Sequence, residues 1–508
     1  MDQIHMVRAA ALLLALTGLT LAQQNPASVA ARQWRQAHEQ AIIGEFTDLL
    51  AIPNVTTDSA GIRRNAGAIL SLLEKRGVAA QLVELPGVNP VVYGEIGTPG
   101  ATRTIVLYAH YDGQPLDAKE WATPPFSPVL RDRTIEKDGQ VIPWSAVPYP
   151  LNPEARLYAR SASDDKAPIV AMLTALDAIH AAGQRLRSNI RFVFEGEEEG
   201  GSTNLEKLLT AHKAMFSGDL WLICDGPVAQ NRQQLIAFGA RGVATVNVTV
   251  YGPRRELHSG HYGNWAPNPA MMLARLLASM KEESGRVLID RFYDGIAPLS
   301  ATEKRALAEA PVPDPELMKE LWLGTTEGAP RRLMELLQQP SLNIRGMASS
   351  RTGAQASNVI PASATASLDI RLVKGMDHRQ TVARLIEHIR GQGYFVVDTE
   401  PGADVRMAHP KVAMVSAGQF GYNAARTPMD LPISREVIRV VESARGPAVK
   451  VPTMGGSVPL EAIERAVGTR TITIPIANHD NGQHSFNENI RIQNLWDGIE
   501  LMAALITM

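Results

Sequence analysis

Four acidic side chains fall within five residues at Glu195-Gly-Glu-Glu-Glu199, directly after the apolar run 190–194. Like charges at this spacing repel one another, and a multivalent cation is the simplest way to offset the repulsion. Successive residues of a strand point to opposite faces, so Glu198 and Glu199 share a site only where the chain has left the strand. The segment therefore predicts a metal site beyond a strand end, although an acidic run on its own is more often a solvated surface.

Two other apolar runs end in residues that bind metals. The run 104–109 is followed by His110 and Asp112, and the run 220–224 is followed by Asp225. In an open α/β sheet, sites form beyond the carboxyl ends of the strands, so these residues should converge with the acidic segment. The sequence predicts one shared site at this edge of the sheet.

The candidate metal ligands are His110, Asp164, Glu199, Asp225 and His484. Two zinc ions carry a charge of +4, which the three carboxylates and a bridging hydroxide balance, and such two-metal sites catalyse hydrolysis. Glu198 is beside a ligand and can move a proton from water to a leaving amine. Asp112 lies on the same side of an extended chain as His110 and can fix its imidazole tautomer. Zinc is the expected metal, and manganese or cobalt also suits these ligands.

Length and composition limit the classes of function. The chain has 508 residues, a net charge of −2 and 45% hydrophobic residues, which fits a globular protein of two or three domains. The two signs of charge are interspersed, so we expect no nucleic-acid partner. The single cysteine, Cys224, excludes an intrachain disulfide and is expected to pack in the core.

The first 22 residues have the pattern of a signal peptide. Arg8 precedes an apolar run that begins at Ala9, and the small residue Ala22 comes before a polar stretch. The run is shorter than the ~20 residues that cross a bilayer, so no membrane anchor is expected. We predict cleavage near Ala22 and export to the periplasm or the medium.

The remaining chain predicts an α/β catalytic domain with a mostly parallel sheet flanked by helices, interrupted by an α+β domain. Residues 243–250 and 364–372 alternate as half-exposed strands do, which is typical of an antiparallel sheet with helices on one side. The predicted domains are a catalytic domain over 28–238 and 405–508 and an inserted lid or dimerisation domain over 239–404. The proline-rich segment 116–157 predicts a long loop or hairpin that shapes a pocket.

Five separated motifs occur in order along the chain: His110-Tyr-Asp-Gly-Gln-Pro115, Ser163-Asp-Asp-Lys-Ala-Pro168, Glu195-Gly-Glu-Glu-Glu-Gly-Gly-Ser202, Leu257-His-Ser-Gly-His-Tyr-Gly263 and His484-Ser-Phe-Asn-Glu488. Together they resemble the metallopeptidase family of carnosine dipeptidase, aminoacylase and glutamate carboxypeptidase, from about residue 35 to the end. The resemblance implies two zinc ions, with His110 and Asp225 on one, Glu199 and His484 on the other, and Asp164 bridging them. It also implies Glu198 as the general base and Asp112 as the carboxylate behind His110.

The resemblance further implies a set of substrate contacts. His258 would reach the active site of a partner subunit in a homodimer paired through the inserted domain. Asn358 and Arg371 would hold the carboxyl end and carbonyl of the substrate, a role that suits the planar guanidinium of arginine. Gly456 and Ser457 would line the same pocket. The chain departs from the family at Ser161 and Ala167, where glycine is usual.

The leading interpretation is a two-metal exopeptidase that acts on dipeptides or short peptides. In the family, the position of Asp225 is aspartate in dipeptidases and aminopeptidases but glutamate in many carboxypeptidases and deacylases. A deacylase or amidase of N-acyl amino acids, or a carboxypeptidase, is the alternative on the same scaffold. An inactive binding or scaffold protein is disfavoured because every expected position holds a suitable residue type.

Overall fold

The computed structural model describes residues 24–456 and 458–508. The predicted signal peptide with its cleavage site near Ala22 lies outside the described residues, and so does Ser457. The helices are α1 (Pro26–Leu50), α2 (Ser59–Lys75), α3 (Lys166–Ala181), α4 (Leu205–Ala211), α5 (Lys213–Phe216), α6 (Ser259–Tyr262), α7 (Pro269–Ala278), α8 (Ala301–Glu309), α9 (Asp314–Glu320), α10 (Leu333–Leu336), α11 (His378–Gly391), α12 (Ala403–Ala408), α13 (Pro432–Arg445), α14 (Leu460–Val467) and α15 (Ile492–Ile506).

The strands are β1 (Ala79–Val83), β2 (Val91–Ile96), β3 (Thr104–His110), β4 (Val129–Arg131), β5 (Val141–Ile142), β6 (Arg156–Tyr158), β7 (Asn189–Glu195), β8 (Leu220–Ile223), β9 (Leu235–Ala237), β10 (Gly239–Ala240), β11 (Gly242–Tyr251), β12 (Leu257–His258), β13 (Ser341–Ala348), β14 (Val359–Ile360), β15 (Ser363–Leu372), β16 (Phe395–Val397), β17 (Val412–Tyr422), β18 (Ala425–Arg426), β19 (Val449–Val451), β20 (Arg470–Thr473) and β21 (Asn489–Arg491).

The larger sheet has eight strands in the order β1-β2-β7-β3-β8-β20-β9-β19. Its centre, from β7 to β20, is parallel. In β3, Ile105 and Leu107 face one core with α1, α3 and α15, whereas Val106 and Tyr108 face another with α4 and α14. Strands covered by helices on both faces are apolar throughout and do not alternate with polar residues. The run 104–109 has this continuous apolar pattern. The predicted α/β class is confirmed.

The second sheet has the order β13-β15-β11-β17-β16 and is antiparallel except for the pair β16 and β17. Burial alternates along β15, where Ala364, Ala366 and Leu368 are buried against α7 and α11. The opposite face carries polar pairs such as Thr249 with Thr365. One helical layer on one face of this sheet gives the expected α+β arrangement.

The chain leaves the second sheet later than the predicted boundary at residue 404. Strand β17 (Val412–Tyr422) pairs with the central strand β11, and Val412, Ala413 and Val415 are buried. A register shift between Ala244 and Val246 and two glycines in β17 weaken the alternation that a sequence search relies on. The end of the inserted part at 404 was therefore predicted too early.

The proline-rich excursion 116–157 supplies β4, β5 and most of β6 to a small antiparallel sheet with the order β21-β6-β4-β5. Strand β21 follows His484 closely along the chain, and the backbone N–H of Ala122 donates to Oδ1 of Asn487 over 2.8 Å. The excursion thus braces the loop that carries His484. None of the helices in the described part of the chain has the length and apolar character required to span a bilayer.

Candidate active site

His110 and Asp112 lie at the carboxyl end of β3, and both side chains are completely buried. Nδ1 of His110 is 3.3 Å from Oδ1 of Asp112, and Nε2 is 2.8 Å from Oδ1 of Asp164. The Asp112 carboxylate also accepts the backbone N–H groups of Glu198 over 3.1 Å and of Glu199 over 3.0 Å. Asp112 therefore orients the His110 imidazole and fixes the acidic segment after β7.

The predicted ligands converge beyond the ends of β3, β7 and β8. Donor atoms of His110, Asp164 and Glu199 lie within 4.8 Å of one another, and so do those of His110, Asp165 and Asp225. His484 completes the set, because its Nε2 is 3.2 Å from Oδ2 of Asp164 and 3.3 Å from Oε2 of Glu199. Asp164 thus contacts both histidines through different oxygens, which is the geometry expected of a carboxylate shared by two cations.

The electrostatics of the cluster fit divalent cations. Burial raises the pKa of Glu199 to about 8 and that of Asp225 to about 6, and the charge of Asp164 adds to both shifts. Burial opposes ionisation of Asp164 as well, but hydrogen bonds from His110 and His484 outweigh it and hold its pKa well below the usual range. Carboxylates crowded in this way are stabilised in their ionised form by bound cations. The residues present therefore fit a metal centre.

Glu198 is close enough to both groups of ligands to interact electrostatically with Glu199 and Asp225. Desolvation within the cluster raises its pKa well above the usual range, His110 opposes the shift, and the neighbouring carboxylates of Asp225 and Glu199 add to it. Glu198 lines two cavities, of about 630 and 330 Å³, and Asp164, Asp225 and His484 also line the first. A carboxyl group that is accessible from both cavities and holds a proton readily is suited to general acid–base chemistry.

A family model for peptidase family M20/M25/M40 matches residues 106–508. The chain belongs to this peptidase family. It is 26% identical to a Cys-Gly metallodipeptidase of Schizosaccharomyces pombe over 446 residues, which covers 85% of this chain and 86% of that protein. It is 29% identical to the human β-Ala-His dipeptidase over 433 residues, which covers 82% of this chain and 77% of that protein.

The structure superposes on an M20 family metallo-carboxypeptidase from Sulfolobus solfataricus with a TM-score of 0.75 and 26% identity, covering 92% of this chain and 98% of that one. The resemblance found in the motifs is confirmed by these matches. This M20 chain is a metal-dependent hydrolase.

Glu488 positions the loop of the M20 site that carries Asp164. In the sequence, only its place in the motif 484–488 indicated a role. Its completely buried carboxylate accepts the backbone N–H groups of Ser163 and Asp164, each over 2.9 Å, and that of Ser161 over 2.8 Å. Nη1 of Arg160 also donates to it over 2.9 Å. Glu488 therefore holds the loop that presents Asp164.

Ser161 adopts a left-handed backbone conformation with φ of 62°, which glycine adopts at a lower cost than other residues. Nδ2 of Asn54 donates to Oγ of Ser161 over 2.8 Å, and this bond stabilises the serine in that conformation. Ala167 is buried in the first turn of α3. Neither departure displaces Asp164 from the cluster.

The predicted substrate contacts divide into two groups. Gly456 lines the larger cavity with Glu198, and Ser457 beside it lies outside the described residues. His258 and Asn358 are exposed and lie together, since the backbone N–H of Ser259 donates to the Asn358 carbonyl over 2.9 Å. Arg371 is half-buried on β15, with its Nε 3.8 Å from Oδ2 of Asp369. None of these three residues, His258, Asn358 and Arg371, is among the described residues that line either cavity.

Sequence reasoning missed two amides that bond to ligand carboxylates. Nε2 of Gln114 donates to Oε2 of Glu199 over 2.6 Å, and Nε2 of Gln483 donates to Oδ2 of Asp164 over 3.2 Å. Gln114 lies in the motif 110–115, four residues after His110, and Gln483 directly precedes His484. Their closeness in sequence to these candidate ligands could have indicated a role in the site. Asp165 was noted beside Asp164 in the sequence but was not assigned as a ligand, and its buried Oδ1 has no hydrogen-bond partner in the described structure.

Proposed function

We propose that this M20 chain is a dipeptidase that uses two divalent cations to hydrolyse dipeptides or short peptides. The observation that carries the proposal is the convergence of five ligand-type side chains, three of which line one cavity together with Glu198. The Cys-Gly and β-Ala-His dipeptidases among the relatives support dipeptides as substrates. The mixture of imidazole and carboxylate donors supports zinc, and also suits manganese and cobalt.

The residues that would hold the cations are His110, Asp164, Glu199, Asp225 and His484. Bound cations would polarise the scissile carbonyl and increase the acidity of water in the site. The Glu198 carboxylate takes a proton from the attacking water and delivers it to the nitrogen of the leaving amine. Glu198 lines both cavities, so its carboxylate is accessible to the water and to the leaving amine. Asp112 fixes the backbone of Glu198 and thereby its position.

A carboxypeptidase is the second candidate, because a metallo-carboxypeptidase superposes on 92% of the chain. The aspartate at position 225 supports the dipeptidase over both the carboxypeptidase and the deacylase or amidase of N-acyl amino acids.

A substrate panel tests the proposal. With added zinc or manganese, we expect the purified protein to release amine from dipeptides but not from N-acyl amino acids or long peptides. Cleavage of N-acyl amino acids alone would identify a deacylase, and stepwise loss of carboxyl-terminal residues from long peptides would identify a carboxypeptidase. No hydrolysis by the metal-loaded protein would contradict all three enzymatic functions.

We also propose that the protein is exported, on the support of the basic residue, apolar run and small residues before residue 23. The mass of the mature chain from the periplasm or medium tests this, because cleavage near Ala22 removes the first 22 residues. A full-length chain retained in the cytoplasm would contradict it.

We propose in addition that two copies form a homodimer through the second sheet, and that His258 completes the site of the partner. His258 and Asn358 are exposed and line neither cavity of their own chain, which supports a role toward another copy. Strand β13 is an edge strand with six consecutive exposed residues, among them Ile344 and Met347 at 47% and 51% exposure. Exposed edges of this kind favour pairing between chains.

Mixing two inactive variants tests the exchange. We expect Glu198→Gln and His258→Ala dimers to be inactive alone and to recover activity after subunits are exchanged, because one site of each mixed dimer has both intact residues. Sedimentation would show that mixed dimers form, and each variant exchanged with itself is the control. Mixed dimers without activity would contradict the role of His258 in the partner's site.

A further inference from the structure

The two cavities that meet at Glu198 and His484 differ in chemical character. The smaller one, of about 330 Å³, is lined mainly by polar groups, including Gln114, Glu206 and Arg465. The larger one, of about 630 Å³, has a wall of apolar side chains: Leu235, Val312, Leu317, Leu333, Met334 and Met454. A peptide bond placed at Glu198 would therefore have an apolar cavity on one side and a polar one on the other.

The apolar wall is anchored in the core. Leu235, Met334 and Met454 pack against a buried cluster that includes Val449 and Val451 of the larger sheet. The inner side chains of the wall are therefore held in place by packing. Its outer side chains, Val312 and Leu333, remain 49% and 38% exposed.

Hydrogen bonds hold the segment 311–338 in this position. Nε2 of Gln338 donates to the carbonyl of Thr453 over 3.1 Å, which ties the segment to the loop that carries Gly456. Oδ1 of Asp314 accepts the backbone N–H of Leu333 over 2.7 Å and closes the segment on itself. The segment thus contributes part of the substrate cavity although it supplies no metal ligand.

The charges of the larger cavity determine which end of a substrate it suits. Among its described lining residues there is no lysine or arginine, whereas Glu316 and the acidic cluster are present. A buried anion requires a cation or hydrogen-bond donors. A terminal carboxylate would meet no guanidinium or ammonium group there, because His484 is a proposed metal ligand and only His479 and neutral amides such as that of Asn231 remain as side-chain donors. An apolar side chain beside a free ammonium group matches both the apolar wall and the acidic charge.

We infer that the enzyme prefers dipeptides whose amino-terminal residue has a bulky apolar side chain, which the larger cavity takes up. This inference rests on the proposed dipeptidase function. Removing one large apolar side chain from water is expected to raise kcat/KM by about 10- to 100-fold over a glycine at the same position.

Two series of dipeptides test the preference and its orientation. We expect kcat/KM to rise from Gly-Gly through Ala-Gly and Leu-Gly to Phe-Gly, with a much smaller dependence in the reversed series Gly-Ala, Gly-Leu and Gly-Phe. Equal values for Gly-Gly and Phe-Gly would overturn the inference while leaving the dipeptidase function intact. A preference confined to the reversed series would overturn the assigned orientation, and hydrolysis of no dipeptide would overturn both the inference and the proposed function.

Variants of the wall connect the preference to the cavity. Val312→Asp and Leu333→Asp place a charge on the apolar wall at positions exposed enough to preserve the fold. We expect each to lower kcat/KM for Phe-Gly about tenfold more than for Gly-Gly, mainly through KM, since this contact binds substrate and transition state alike. Leu321→Asp is the matched control, because Leu321 is 60% exposed on the same segment and does not line the cavity. An unchanged Phe-Gly to Gly-Gly ratio in both wall variants would overturn the inference.

Discussion

Glu198→Gln is expected to lower kcat by about 10²–10⁴-fold, the usual contribution of a general acid–base group. Glutamine keeps the shape of the side chain but cannot take the proton from the attacking water or pass it to the leaving amine. Because Glu198 is not among the proposed ligands, the variant should retain its metal. Measuring kcat and metal content on the same preparation separates the loss of a proton carrier from the loss of the centre.

Glu197→Gln is the matched control for that experiment. Glu197 is the preceding residue in the acidic segment, but its carboxylate accepts hydrogen bonds from Nδ2 of Asn204 and lines neither cavity. The control variant should keep nearly full activity. If Glu198→Gln retained activity and Glu197→Gln lost it, the general base would have to be reassigned.

The convergence of the ligands was predictable from the sequence because it depends on a local signal. His110, Glu199 and Asp225 each follow an apolar run, and parallel strands bring their carboxyl ends to one edge of the sheet. Knowing the sheet order was not necessary for this conclusion. The pattern therefore predicted that these residues cluster before any long-range contact was known.

The parts that could not be predicted depend on contacts between distant residues. Glu488 holds the Asp164 loop across more than 320 positions of the chain, and its place in the motif 484–488 does not indicate which residues it bonds to. The apolar wall formed by 311–338 was also missed, since its short helices and frequent prolines leave no clear periodicity. Its contribution follows only from packing against β19, which lies more than a hundred residues later.

Asp164→Ala is expected to release more metal than any other single change of a ligand. Its two oxygens face different histidines, with Oδ1 2.8 Å from Nε2 of His110 and Oδ2 3.2 Å from Nε2 of His484. Removing the carboxylate therefore weakens both proposed ion sites, whereas Asp225→Ala and His484→Ala each remove a ligand from one. Elemental analysis should give no bound metal for Asp164→Ala and about one ion per chain for each of the other two.

Chelation of the wild-type protein should reproduce the loss seen in Asp164→Ala, and added zinc or manganese should reverse it. A ligand present at 100 times its Kd stabilises a fold by about 2.7 kcal/mol, so the chelated protein should also unfold at a lower temperature. Asp164→Ala should show little change of unfolding temperature on adding metal, because it lacks the carboxylate that we propose would be shared by both ions. Full activity after exhaustive chelation, with no metal detected, would contradict the assignment of the cluster as the catalytic metal centre.

Loss of only one ion from Asp164→Ala would instead show that another carboxylate is shared by the two ions. Asp165 would then be the residue to replace, because its buried Oδ1 has no hydrogen-bond partner in the described structure and it lies beside His110 and Asp225.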